Sequence, residues 1–162
     1  MKKQRLARSL LLCLLAALLL FAVACSTQPE TPSATPDAEQ NAGGEVSKQG
    51  LWANATYTKD TELGEGAKTV KVKISAEGQA ITVTLHTDAQ TLADALKAHH
   101  LIDGEDGVYG IMIYVVNGIE AKYENGGYWW GITKAGVATE TGADGVVIAD
   151  GEQYELIRTN QY

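Results

Sequence analysis

Apolar and polar residues alternate from Thr69 onward: Val70, Val72 and Ile74 against Lys71, Lys73 and Ser75, then Ile81, Val83 and Leu85 against Thr82, Thr84 and His86. Period two on both sides of Glu77-Gly78-Gln79 predicts an antiparallel hairpin with one buried face. The period then lengthens. Leu92, Ala95, Leu96 and His99 recur at three- and four-residue spacing, which predicts a helix capped by Thr87 or Asp88 and ending near Leu101 to Gly104. Ile111 to Val116 and Ile119 to Tyr123 flank Asn117-Gly118, a strong type I′ turn signal and so a second hairpin. Tyr128 to Thr133 and Gln153 to Thr159 supply two further strands.

The order strand, strand, helix, three strands, irregular segment, strand suits a helix laid across one face of a mixed or antiparallel sheet, so the fold class expected is α+β. Its arrangement looks like a small β-grasp. Residues 51 to 159 are enough to bury roughly two thirds of their unfolded surface and need no staples.

Ahead of this unit the pattern differs. Lys2, Lys3, Arg5 and Arg8 precede an apolar run from Leu10 to Val23, and small residues follow before Cys25. That is the pattern of a secretory signal, and at ~1.5 Å per residue the run is short for a ~30 Å hydrocarbon core. Ala22-Val23-Ala24-Cys25 resembles a bacterial lipobox, which implies acylation at Cys25. Cys13 lies within the part to be removed, so no intrachain disulfide and no thiolate metal cluster is expected. From Ser26 to about Lys48 come Pro29, Pro32, Pro36 and Gly43-Gly44 among polar residues without apolar periodicity, read as a disordered stalk. The expected organisation is a signal peptide over 1–24, a lipidated cysteine and linker over 25–48, and a folded domain over 49–162.

Charge narrows the partners. The chain carries 13 Lys and Arg against 20 Asp and Glu, a formal charge of -7, and loss of the first 24 residues with their four cations takes it to -11. Such an acidic chain repels phosphate backbones, so no nucleic-acid partner is expected. Catalytic inventory is thin: the folded part has one serine, Ser75, and neither a nucleophile elbow nor a phosphate-cradling loop, so the chain is not expected to be an enzyme. His99 and His100 diverge by about 100° on a regular helix and cannot chelate one ion together; no metal and no cofactor are expected. Asp103-Gly104-Glu105-Asp106-Gly107 lacks the ligand ladder of a calcium loop and reads as a solvated turn.

Tyr128, Trp129 and Trp130 are consecutive on a predicted strand, so the two tryptophans face opposite ways. One fills the core while the other sits near the surface. Ile132 argues that Trp130 faces in, with Trp129 as the alternative.

Leu51-Trp52, Asp60 to Gly66, His86-Thr87-Asp88, Leu92 to Leu96, Leu101 to Gly104, Tyr109-Gly110, Val116 to Ile119, Tyr128-Trp129, Thr141-Gly142 and Asp150 to Glu152 together resemble a family of bacterial surface lipoproteins. Its domain, of the domain-of-unknown-function 4430 type, is similar to the C-terminal domain of the cobalamin carriers transcobalamin and intrinsic factor. Lys134-Ala135-Gly136 departs from it, standing where the family usually has an Asn-Gly turn. The resemblance implies an extracellular protein, lipid-anchored on the membrane, that captures cobalamin or a related corrinoid, with an uptake or surface partner. Tyr109, Tyr128, Trp129 and Trp130 are the candidate ligand contacts. The other expectation is a surface module that docks a protein or polymer.

Overall fold

In the computed structural model, which describes residues 44–161, the alternating segments pair as β2 (Lys68–Ala76) and β3 (Gln79–Thr87) in unbroken antiparallel register from Lys68 opposite Thr87 to Ala76 opposite Gln79. Glu77 and Gly78 form the turn with φ of 51° and 72°, the left-handed pair that a type I′ turn requires. Val70, Val72, Ile74, Ile81, Val83 and Leu85 are all buried, so this hairpin supplies much of the core. Each such side chain contributes about 1.5 to 3 kcal/mol by leaving water.

β9 (Gln153–Thr159) lies parallel to β2, with Lys71 opposite Gln153 and Ser75 opposite Ile157. β7 (Trp129–Lys134) runs antiparallel to β9, and the two-residue β8 (Val137–Ala138) returns along its end. A short β1 (Thr61–Leu63) adds to the far edge, parallel to β3. The result is a six-stranded mixed sheet in the order β1-β3-β2-β9-β7-β8. A second sheet, β4 (Ile102–Gly107), β5 (Gly110–Val116) and β6 (Ile119–Glu120), contributes Ile102, Ile113, Val116 and Ile119 to the same buried cluster. Together with the helix α1 (Leu92–Lys97), whose Leu92, Ala93, Ala95 and Leu96 are buried, this is an α+β fold.

Several local expectations need correction. Thr91, not Thr87 or Asp88, caps α1: its Oγ1 accepts from the Asp94 N–H at 3.2 Å. The helix is also shorter than its periodicity predicts. Leu101 N–H bonds to Leu96 O and His100 N–H to Lys97 O, both at 3.0 Å, with His100 at φ 52°. That closure is a Schellman motif, and it takes His99 off the helix.

The acidic run Asp103 to Gly107 is not a turn but strand β4, because β5 offers it a full antiparallel partner. The register slips between Asp103 and Gly104, and a Cβ at Gly104 would stand 1.9 Å from Met112 O, so only glycine lets the two backbones meet there. β6 stops at Glu120, short of the expected Tyr123, where a turn over Tyr123–Asn125 and two left-handed glycines, Gly126 and Gly127, redirect the chain.

The ordered pairing begins earlier than residue 49. Glu45 bridges Lys59, and Val46 N–H donates to Thr58 O at 2.7 Å, so residues expected in the linker join the fold. The expected signal segment, Cys25 and the rest of the linker lie outside the described residues.

Candidate functional site

Register along β7 and β9 decides where the aromatic residues go. Trp130 stands opposite Arg158 and Ile132 opposite Leu156, on the core side of the sheet. Trp129 opposite Thr159, Gly131 opposite Ile157 and Thr133 opposite Glu155 take the other side, the open face. Trp130 is accordingly buried and Trp129 half-buried. This settles the choice between them: Trp130 is the core residue.

Trp129 keeps an aromatic neighbour, Tyr123, whose ring centroid lies 6.3 Å away at 42°. Tyr128 has another role. The Arg158 guanidinium stacks 3.8 Å above its ring, while Arg158 Nε donates to Glu120 O at 3.1 Å, so this tyrosine helps tie β9 to the end of β6. Tyr109 lies apart from the other three, exposed with Val108 in the turn between β4 and β5 of the smaller sheet. The four candidate contacts therefore do not form one constellation; only Trp129 is presented on the open face.

That face also carries a feature the sequence did not suggest. A shallow groove of about 490 Å³ is lined by Asp60, Glu62, Lys71, Lys73, Thr82 and Thr84, among others. A second hollow of about 350 Å³, lined by Thr133, Ala135, Gly136 and Glu155, shares Lys73, Gln153 and Tyr154 with it. The alternate Lys and Thr positions of the hairpin read in sequence as a plain solvent face. Only the register of β9 against β2, which joins residues distant in the chain, shows that they frame a groove. Beside it Glu155, which lines the second hollow, accepts from Ser75 Oγ at 2.6 Å and pairs with Lys73 at 3.2 Å.

Near the end of β7 a polar cluster locks the turn before β9. Glu152 pairs with Lys134 at 2.5 Å, accepts from the Tyr154 hydroxyl, and accepts from Ala149 N–H at 3.0 Å. Burial opposes its charge, but the hydrogen bonds from Lys134 and Tyr154 outweigh it and hold the carboxyl at about 2, below its ordinary 4.5. Burial and the same carboxylate push the Tyr154 phenol up. A carboxyl depressed in the folded state stabilises the fold above its unfolded value and loses that contribution as pH falls towards 2. Glu152→Gln should therefore cost about 1 to 2 kcal/mol at neutral pH, after allowance for solvent screening. Urea unfolding at several pH values should show the gap to the parent closing between about pH 4.5 and pH 2.

Among the described residues no three His, Cys, Asp or Glu side chains come together as a metal ion would need. His86 lies 3.7 Å from Glu62 and 3.3 Å from Thr69 Oγ1, a local polar contact on the open face.

Among the described residues, fold and face together define a small α+β domain whose main sheet has one open, polar side. The family model described as a domain of unknown function, DUF4430, matches residues 89–155. The crystal structure of a protein from Ruminococcus gnavus ATCC 29149, provisionally described as metal binding, is 32% identical with a TM-score of 0.57, over 59% of this chain and 100% of that one. Haptocorrin in complex with Cbi is similar at 20% identity and a TM-score of 0.46, over 59% of this chain and 25% of haptocorrin. No curated protein matches. The chain belongs to the DUF4430 domain family.

Proposed function

We propose that the protein is a lipid-anchored binding protein rather than an enzyme, held through Cys25 on the extracellular face of a bacterial membrane and taking its ligand on the open face of the six-stranded sheet. The strand order β3-β2-β9-β7, with parallel β2 and β9 at its centre, supports the β-grasp-like description. The observation that carries the function is the split along β7. Trp130 serves the core, while Trp129, half-buried beside Tyr123, brings a large aromatic side chain to the opposite side of the sheet. A planar ligand stacked there gains about 0.5 to 1.5 kcal/mol beyond burial.

A corrinoid is the ligand class to test first, on the motif resemblance, and a single domain of this size would hold one side of it. Cyanocobalamin titrated into the full chain should bind, and Trp129→Ala should weaken it by roughly 2- to 12-fold with the fold intact. Trp130→Ala should instead cost about 3 to 5 kcal/mol of stability. If the parent binds no corrinoid, that ligand is excluded. The second reading, docking of a polymer or protein, is favoured by one observation: the grooves on the open face are shallow and lined by charged and hydroxyl groups.

Anchoring is tested separately. Cys25→Ala should move the protein out of the membrane fraction or block its maturation. A fully processed, membrane-bound Cys25→Ala protein would end the lipoprotein reading.

A further inference from the structure

Gly131 sits in the middle of β7 without a structural reason to be glycine. It is absent from the positions of positive φ, and a Cβ there would meet Ile157 Cγ2 at 3.4 Å and Thr159 Cγ2 at 3.7 Å, ordinary contacts. Glycine in a strand interior weakens the strand, and where neither a bulge nor a bend requires it, close approach of a ligand to the backbone is a reason for it to be there. The missing side chain points to the open face, between Trp129 and Thr133. Among the described residues it leaves room above Ile157, between the Trp129–Tyr123 rings and the polar groove.

We infer that this path, from Trp129 over Gly131 to the groove around Lys73 and Gln153, binds an uncharged saccharide chain. The inference rests on the open face being the recognition surface and names a ligand class for it. From Trp129 to Thr133 the strand spans about 13 Å at ~3.3 Å per residue, room for an extended ligand of several rings. One end offers an aromatic face for the C–H side of a sugar ring; the other offers hydroxyl, amide and carboxylate groups for its hydroxyls. Gln153 stands exposed where the two hollows meet and supplies an amide that can both donate and accept.

Charge selects among polymers. The groove sets Lys71 and Lys73 against Asp60, Glu62 and Glu155, close to balance, in a chain of formal charge -7. A polyanion is repelled by such a molecule, and a polycation is drawn first to Asp103, Glu105 and Asp106 on the exposed edge of β4. An uncharged polyol suits the interleaved donors and acceptors that remain.

The test titrates maltohexaose, cellohexaose and chitohexaose into the full chain, kept in a detergent without a sugar headgroup, and reads tryptophan fluorescence and heat. At least one should bind. Gly131→Val, which fills the path with a residue that strands favour, should weaken it by about tenfold or more at an unchanged melting temperature. Gln153→Ala, at an exposed position that lines both hollows, should also weaken it, and guards against a folding defect in the first variant. Failure of all three sugars to bind, or binding that both variants leave unchanged, overturns the inference. Cyanocobalamin run in parallel separates the readings: corrinoid binding without sugar binding sinks this inference alone.

Discussion

Asn117→Ala is expected to destabilise the protein by about 3 to 4 kcal/mol, enough to unfold a large share of a marginally stable domain. Asn117 is fully buried, and its amide works at both ends: Oδ1 accepts from Tyr57 N–H and Nδ2 donates to Tyr57 O, each at 2.8 Å. Its own backbone accepts from Thr56 N–H at 2.9 Å and donates to Leu101 O at 2.8 Å. One side chain thus stands in for a strand, holding the segment around Tyr57 against the β5–β6 turn. Alanine leaves two backbone groups of Tyr57 without partners, at about 1 to 3 kcal/mol each when buried. It must also adopt the 52° φ at this position, worth a further ~1 kcal/mol. Asn117→Gly separates the two causes, because it removes the hydrogen bonds but relieves the backbone. Urea midpoints should place it between the parent and the alanine variant, and equality of all three would refute this account.

Trp52→Ala should cost about 3 to 5 kcal/mol. The indole is completely buried, and its Nε1 donates to Ala76 O at 3.0 Å, at the end of β2 where the hairpin turn begins. The side chain therefore carries both packing and the fastening of the 50–54 turn to the main sheet. Trp52→Phe keeps most of the volume but leaves the Ala76 carbonyl unpaired, so a smaller loss of about 1 to 3 kcal/mol is expected. Thermal melts of the two variants check the order; a phenylalanine variant as unstable as the alanine one would mean that the hydrogen bond dominates.

The fold was legible where burial is one-sided. The β2–β3 hairpin, the Asn117-Gly118 turn and β9 announce themselves through alternation and turn chemistry, because in each the local preference and the tertiary environment agree. β4 was not legible. Asp, Glu and Gly are poor strand formers, and the pairing comes from β5, with Gly104 admitting the close approach. The helix was overextended for a similar reason: spacing showed which residues face in, but not the left-handed turn at His100 that ends it.

The site was less legible than the fold. Adjacent tryptophans told that one must face each way, and only the register against β9 decided which. Tyr109 looked like a partner of the Tyr-Trp strand, yet it sits in the turn between β4 and β5 of the other sheet. The polar groove had no local signature at all, since its walls come from strands far apart in the chain and its residues are ordinary ones for a wet sheet face.

Placing the last strand at the centre of the main sheet sets the order in which the molecule can be made. β9 joins β2 on one side and β7 on the other, so the two flanks of the sheet have no strand in common until the end of the chain arrives. Ser75 and Glu155, which meet across β2 and β9, are 80 residues apart. Closing so long a loop before any reward makes folding slow and leaves the sheet incomplete until β9 pairs. Until β9 pairs, the β2–β3 hairpin has no strand on its β2 side and β7 none on its β9 side, so a single strand decides when the two halves of the sheet become one surface.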